Sequence, residues 1–398
     1  MSSHMKADTH EFAPEVRALE PELLQWRRQL HQNPELSFHE TQTSAWICSM
    51  LDTFDGVSYT RPTPTSVMAV VRGEKAGRTI AIRADIDALP IDEQTDVPFK
   101  STRSGVMHAC GHDGHTAILL ATAKVIGALR SQLSGEVRFL FQHAEELPPG
   151  GAAEMVAAGV MQGVDEIYGL HLSSAYDTCT FGIRAGALTS ATDRFDITII
   201  GKGGHSAFPE TTVDPIPVGA QVISALQTIV SRQTPALDSL VLSICQISAG
   251  EAYNIIPGSM QITGSTRSFS REIRAALPGK IEKLVQGITA AYGAAYDFKF
   301  SRGYASVFND AALTDHVENL ILTHFGEGRS ARIAPVMPGE DFSAFSELCP
   351  GCFVELGTRN AEKGCDVQHH NALYKMDEDA LVYGVEFFRT LILDRLGD

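Results

Sequence analysis

Apolar runs of strand length recur through the first half of this chain, with helical stretches between the later ones. SVMAVVRG (66–73), RTIAIRAD (78–85), EVRFLFQ (136–142) and DEIYGLHL (165–172) read as buried strands. Gly114–Arg130 and Ala152–Ala158 read as the helices that separate them. Strands that are apolar on both faces belong in a largely parallel sheet covered by helices on both sides. The chain is therefore predicted to build an α/β layer. Ahead of it, Pro21–His31 reads as a helix with proline in its first turn, stopped at Asn33-Pro34. Glu40–Phe54 carries Trp46, Met50 and Phe54 at i+4 spacing, an amphipathic helix.

The pattern changes near residue 191. DRFDITIIG (193–201) alternates strictly, as a strand buried on one side does. A helix follows with Val222, Ile223, Leu226, Ile229 and Val230 on one stripe. Two alternating strands come next, SLVLSICQIS and MQITGSTRSF. A second helix carries Ile273, Leu277, Ile281, Leu284 and Ile288, and Pro278-Gly279 is expected to kink or split it. YDFKFS closes a β-α-β-β-α-β series, the ferredoxin-like α+β order. Residues 191–303 thus read as a domain inserted into a discontinuous one formed by 1–190 and 304–398. The α/β alternation resumes after Asn309, through CFVELG and a last helix from Asp377.

Length and charge narrow the function. The 398 residues suit two domains with real cores. A net charge of −16 argues against nucleic-acid and anionic-membrane partners, whose phosphates it would repel. The opening MSSHMKADTH lacks an apolar leader, and no run of 18 apolar residues exists, so the cytoplasm is the expected location. Seven cysteines, odd in number and scattered, do not make a disulfide framework. Cys349-Pro-Gly-Cys352 has no second CxxC to complete a zinc site and reads as two small residues around a turn.

The chemistry lies just beyond the strands. RADIDALP ends a strand with Asp85 and Asp87 two apart, pointing the same way if the chain stays extended. MHACGHDGH (107–115) packs Cys110 and His112 with His108, Asp113 and His115, donors suited to zinc and its neighbours. QHAEELPPGG (142–151) supplies adjacent Glu145 and Glu146, which point to opposite sides in an extended segment. His171 ends a strand, and His369-His370 precede a helix. Each cluster alone also suits a capped or solvated loop. Together they converge on one sheet edge, where open α/β sheets bind ligands, and a shared metal site explains that better than separate accidents.

RADIDALP, MHACGHDGHTA, QHAEE, GLHL, GKGGHSAFPE, NIIP, MPGEDFSAF and HHNALY together resemble the M20 amidohydrolases. The similarity is to the branch of hippurate hydrolases, N-acyl-amino-acid deacylases and auxin-conjugate hydrolases, and RRQLHQNPELSFHE (27–40) shares it. It runs from about residue 24 to the C-terminus.

The resemblance implies a zinc-exopeptidase-like catalytic domain with an inserted lid, and a homodimer or higher homo-oligomer formed through that lid. It implies two divalent metal ions, zinc or else manganese, cobalt or nickel. Their ligands would be Cys110, His112, Glu146, His171 and His370, with Cys110 a candidate bridge. Asp87 would orient a metal-binding group, and Asp85 would support a ligand rather than be one. Glu145 matches the general base. His205 (GGHSAFP) matches the lid histidine that stabilises an oxyanion, often in the partner subunit's site. Asn254 (NIIP) and Arg267 (STRSF) match lid positions that contact substrate. The implied reaction is hydrolysis of N-acyl amino acids by metal-activated water. A di- or aminoacyl-peptidase of the same fold is the alternative, and a metal-storage protein a further rival that the spare glutamate argues against. Two departures stand out: His143 where the branch has proline before AEE, and Ala372 where it has proline after the last ligand.

Overall fold

The computed structural model describes residues 10–397; residues 1–9, which hold most of the stretch read for an apolar leader, and residue 398 lie outside them. The chain forms two compact units. One comprises the chain up to Gly186 with Phe308–Ala334 and everything from Asp341. The other comprises Ala187–Val307 with the short return Pro335–Glu340. No sequence pattern marked that return as part of the second unit. It is tied there by backbone bonds from Val336 N to Leu188 O (2.8 Å) and Ser190 N to Pro338 O (3.1 Å).

The first unit is an α/β layer around an eight-stranded sheet. Its spatial order is Val57–Thr60, Val67–Arg72, Ser134–Gln142, Lys75–Asp85, Glu166–Asp177, Gly351–Arg359, Phe181–Ile183 and Ser330–Arg332. The four strands from Ser134–Gln142 to Gly351–Arg359 run parallel. Ile80, Ile82, Phe139, Phe141, Leu170 and Val354 are buried, as two-sided burial requires. The helix His112–Ala128 is buried on nearly every side, packed between Pro14–Gln32 and Asp379–Leu396. The first helix starts seven residues earlier than the sequence reading placed it, at Pro14. Pro21 lies inside it on the exposed side, where water can serve the freed carbonyl, while Leu19, Leu23, Trp26 and Leu30 face the core.

The second unit is a four-stranded antiparallel sheet ordered Leu240–Ala249, Ser259–Ser268, Ala191–Ile200, Ala295–Arg302. Phe195, Ile197 and Ile199 pack against Val222, Leu226, Leu277 and Ile281 of its two helices. The helix Arg271–Ala291 runs through Pro278 as one element, so the proline does not split it. Proline removes the bond to the carbonyl of Arg274, and Arg302 Nη1 donates to that oxygen instead at 2.8 Å. Among the described residues no helix is long and apolar enough to cross a membrane. None of the seven cysteines is in a disulfide.

Candidate metal centre

The parallel strands deliver their chemistry at one end of the first unit's sheet. Asp85 pairs with Gln142, and Arg83 with Gly169, so His171 comes two residues beyond that last pair. The strand carrying His171 continues to Asp177, so this histidine lies within a strand and not at its end as the sequence suggested. Cys110 and His112 flank Gly111, whose φ of 93° is left-handed backbone that glycine takes without strain. A Cβ there would also lie 3.2 Å from the Tyr374 hydroxyl.

Hydrogen bonds fix which nitrogen each histidine offers. His112 Nδ1 lies 3.0 Å from the Asp87 carbonyl and 3.1 Å from Asp87 Oδ1. Both are acceptors, so Nδ1 carries the proton. Nε2 is then the nitrogen left to bind once the ring is neutral, and it is buried with no hydrogen-bond partner. His171 Nδ1 donates to the Leu172 carbonyl at 2.9 Å, which turns its Nε2 to within 3.6 Å of Cys110 Sγ. His370 is left-handed (φ 59°), and its N–H bonds the Ala109 carbonyl at 2.9 Å, pinning the C-terminal loop to the cysteine loop. Its Nε2 lies 3.2 Å from Glu146 Oε1, which is 3.9 Å from His112 Nε2.

Donor atoms of Cys110, His112 and His171 lie within 4.8 Å of one another, and so do those of Cys110, Glu146 and His370. Cys110 belongs to both sets. Glu145 joins His112 and Glu146 in a third. The donors are one thiol, three imidazoles and a carboxylate, and the buried His112 Nε2 among them has no hydrogen-bond partner. These residues fit divalent ions. The electrostatics agree. Burial opposes a charged His112, yet Asp85, Asp87 and Glu146 raise its pKa to about 10. Burial, reinforced by Glu146, Glu145 and Asp85, pushes the Cys110 thiol well up. Metal-free, the pocket holds protons where cations belong.

The neighbouring polar residues brace this arrangement. His115 Nδ1 donates to Asp85 Oδ1 at 2.5 Å and Nε2 accepts from Leu172 N at 2.8 Å, so neither nitrogen is left for a metal. Arg83, buried, reaches Asp85 (2.8 Å), Gln142 (2.7 Å) and Asp341 (2.9 Å). Asp113 accepts from His31 Nδ1 and lies 2.8 Å from Arg27 Nε, which ties the first helix to the metal loop. His108 is buried with neither ring nitrogen bonded, and burial lowers its pKa to about 4. His143 turns away from Glu145: its Nε2 meets Glu154 at 3.1 Å. It adds no ligand to these groups. Arg83, Asp341, Arg27 and His31 received no roles from the sequence, although each lies in a stretch singled out there. An arginine inside a buried apolar strand was the clearest available signal, since such a charge needs partners.

In the second unit, His205 and Asn254 share a corner. His205 pairs with Ile255 in a short ladder, and Ser206 N donates to the Asn254 carbonyl at 3.2 Å. Arg267 sits eight residues along the strand that starts at Ser259. At about 3.4 Å per residue that is roughly 27 Å from the strand's start.

The two-domain architecture and this donor set define a metal-dependent hydrolase. A family model described as peptidase family M20/M25/M40 matches residues 81–394. An N-acyl-L-amino acid amidohydrolase of Geobacillus stearothermophilus is 52% identical over 294 residues, 74% of this chain and 80% of the relative. An N-acetylcysteine deacetylase of Bacillus subtilis (strain 168) is 39% identical over 376 residues, 94% of this chain and 97% of the relative. A crystal structure from Bacillus subtilis, described as a dinuclear metal binding peptidase from the M20 family, superposes with a TM-score of 0.83 at 36% identity, covering 95% of this chain and 98% of that one. The chain belongs to peptidase family M20/M25/M40 and is a hydrolase of amide bonds.

Proposed function

We propose that the chain hydrolyses the amide bond of N-acyl amino acids, with acetyl, benzoyl or indole-acyl groups on the nitrogen. The observation that carries this is the division of labour between adjacent glutamates. Glu146 meets His370 and Cys110 among the ligands, while Glu145 remains beside them as a buried carboxylate. Two divalent ions held by Cys110, His112, Glu146, His171 and His370 would acidify a water and polarise the amide carbonyl. Glu145 takes a proton from the attacking water. It returns that proton to the amide nitrogen as the C–N bond breaks, releasing a carboxylic acid and a free amino acid. Positioned proton transfer of this kind contributes about 10²–10⁴-fold. Asp87 keeps the His112 lone pair aimed at the site.

His205 is the proposed donor to the oxyanion, Asn254 a substrate contact and Arg267 the partner of the substrate α-carboxylate, for which its planar fork is suited. Arg267 lies ~27 Å along its strand from Ser259, while Asn254 precedes that strand and His205 pairs with Ile255 just before it. That supports a homodimer in which His205 and Asn254 serve the partner's site. The edge strand Leu240–Ala249, with Ile247 54% exposed, is a ready template for a second copy. Cys110 sits in both donor triads and suits a bridge between the ions; its sulfur favours zinc over manganese, cobalt or nickel. Seven cysteines without a disulfide fit the cytoplasm.

The test is a hydrolysis screen on chelated enzyme with each metal restored. N-acetyl, N-benzoyl and indole-acyl amino acids are set against dipeptides with a free amine. Turnover of the acylated set is expected; turnover of the free-amine set alone would contradict the proposal.

A further inference from the structure

The turn that presents Glu145 and Glu146 is held by a carboxylate more than a hundred residues earlier. Ala144 has φ 50°, a left-handed backbone that alanine adopts only when its surroundings enforce it. Gly151 N donates to its carbonyl at 3.0 Å, and its own N–H donates to Glu40 Oε1 at 2.8 Å. The same oxygen accepts the N–H of Phe38 at 3.0 Å, and Phe38 is also left-handed (φ 66°). One carboxylate oxygen thus secures two strained residues.

The segment around Glu40 grips the site at a second point. Ser37 Oγ donates to Asp87 Oδ2 at 2.7 Å, and that oxygen also accepts the Glu146 N–H at 3.0 Å. The segment is itself anchored, since Ala88 N donates to the Glu35 carbonyl at 2.8 Å, and Glu35 Oε2 takes the N–H groups of Gln42 and Thr43. Glu40 is wholly buried, and its Oε2 has no hydrogen-bond partner. A side chain serving only to fill space there would be apolar, because an unsatisfied carboxyl oxygen is costly to bury. What the carboxylate supplies is the acceptor for Ala144.

We propose that Glu40 is a positioning residue for amide hydrolysis. It touches no substrate; it acts through the Ala144 turn, setting the directions in which Glu145 and Glu146 leave the strand. This rests on reading Glu145 as the base, but the turn carries the ligand Glu146 as well.

The experiment compares Glu40→Gln, Glu40→Met and Glu40→Asp in metal-loaded enzyme, reading kcat, KM, metal content and melting temperature. The glutamine amide oxygen accepts the same two N–H groups, so its kcat should stay within about threefold of the parent. Methionine keeps the volume and removes the acceptor, so kcat per metal-loaded site should fall about 10²-fold with KM held, the cost of a misplaced group. Aspartate withdraws the acceptor by one methylene and, as the variant with the gentler change in packing, gives the answer should Glu40→Met not fold; its kcat should fall about tenfold. Parental kcat in Glu40→Met or Glu40→Asp overturns the proposal. So does a glutamine variant as impaired as methionine. An active Glu145→Gln enzyme would instead overturn the base assignment, which separates the two failures.

Discussion

Asp87 Oδ1 and His112 Nδ1 stand 3.1 Å apart, and this contact decides which nitrogen of His112 is available. The Asp87 carbonyl backs it up at 3.0 Å, so the tautomer does not rest on the carboxylate alone. Losing such an orienting partner typically costs 10–100-fold in metal affinity. With the carbonyl still present, Asp87→Ala is expected at the low end, about tenfold weaker in a chelator competition. Unchanged affinity would mean the carboxylate does not orient the ligand.

Metal binding should expel protons. At pH 8 and without metal, His112 is charged, its pKa near 10, and burial among carboxylates keeps the Cys110 thiol protonated. Ligands bind as thiolate and neutral imidazole, so apparent affinity should rise with pH. Calorimetry in two buffers of different ionisation enthalpy should count about two protons released per chain. A count of zero would remove Cys110 and His112 from the ligand set.

Much of this site was legible because metal chemistry restricts residue types. Cys110, His112 and the glutamate pair stood beside strands that apolar runs had already located. The fold was legible for the same reason, since apolar runs and alternating strands specify the two layers directly. Distances between clusters were not legible. Nothing local shows that His370 would be pinned to the Ala109 carbonyl, or that Pro335–Glu340 would return to the second unit. The extended geometry expected to send Glu145 and Glu146 to opposite sides is not what forms, and their carboxylates come within 4.8 Å of each other beside His112. The strand ends at Gln142, and a left-handed Ala144 turns the chain instead. Long-range hydrogen bonds such as Glu40 to Ala144 leave no periodic trace. Likewise Arg302 rescues the helix around Pro278 from a strand no pattern connects to it.

Glu40 should also leave a pH signature in stability. Burial, with Asp87 adding to it, raises its pKa from 4.5 to about 7. Between those values the folded protein binds more protons than the unfolded chain, so this group's stabilising contribution is lost as pH rises through 7. The shift corresponds to about 3 kcal/mol. Denaturant unfolding of parent and Glu40→Gln should therefore show a gap that moves in the variant's favour from pH 4.5 to 7.5, then levels off. A constant gap would place the carboxyl in an ordinary environment.

His143 stands where the family resemblance implies proline, and its ring is bonded to Glu154. His143→Ala should keep kcat/KM within about threefold and retain its metals, because its ring nitrogen meets Glu154 and not a ligand. A tenfold loss accompanied by metal loss would show that the histidine acts on the centre after all.

The central claim is that Glu145 moves the proton while its neighbour holds metal. The direct measurement is kcat of Glu145→Gln on an N-acetyl amino acid, together with its metal content. At least a 10²-fold loss of kcat with two divalent ions per chain is expected. Near-parental turnover in the metal-loaded variant would contradict the account.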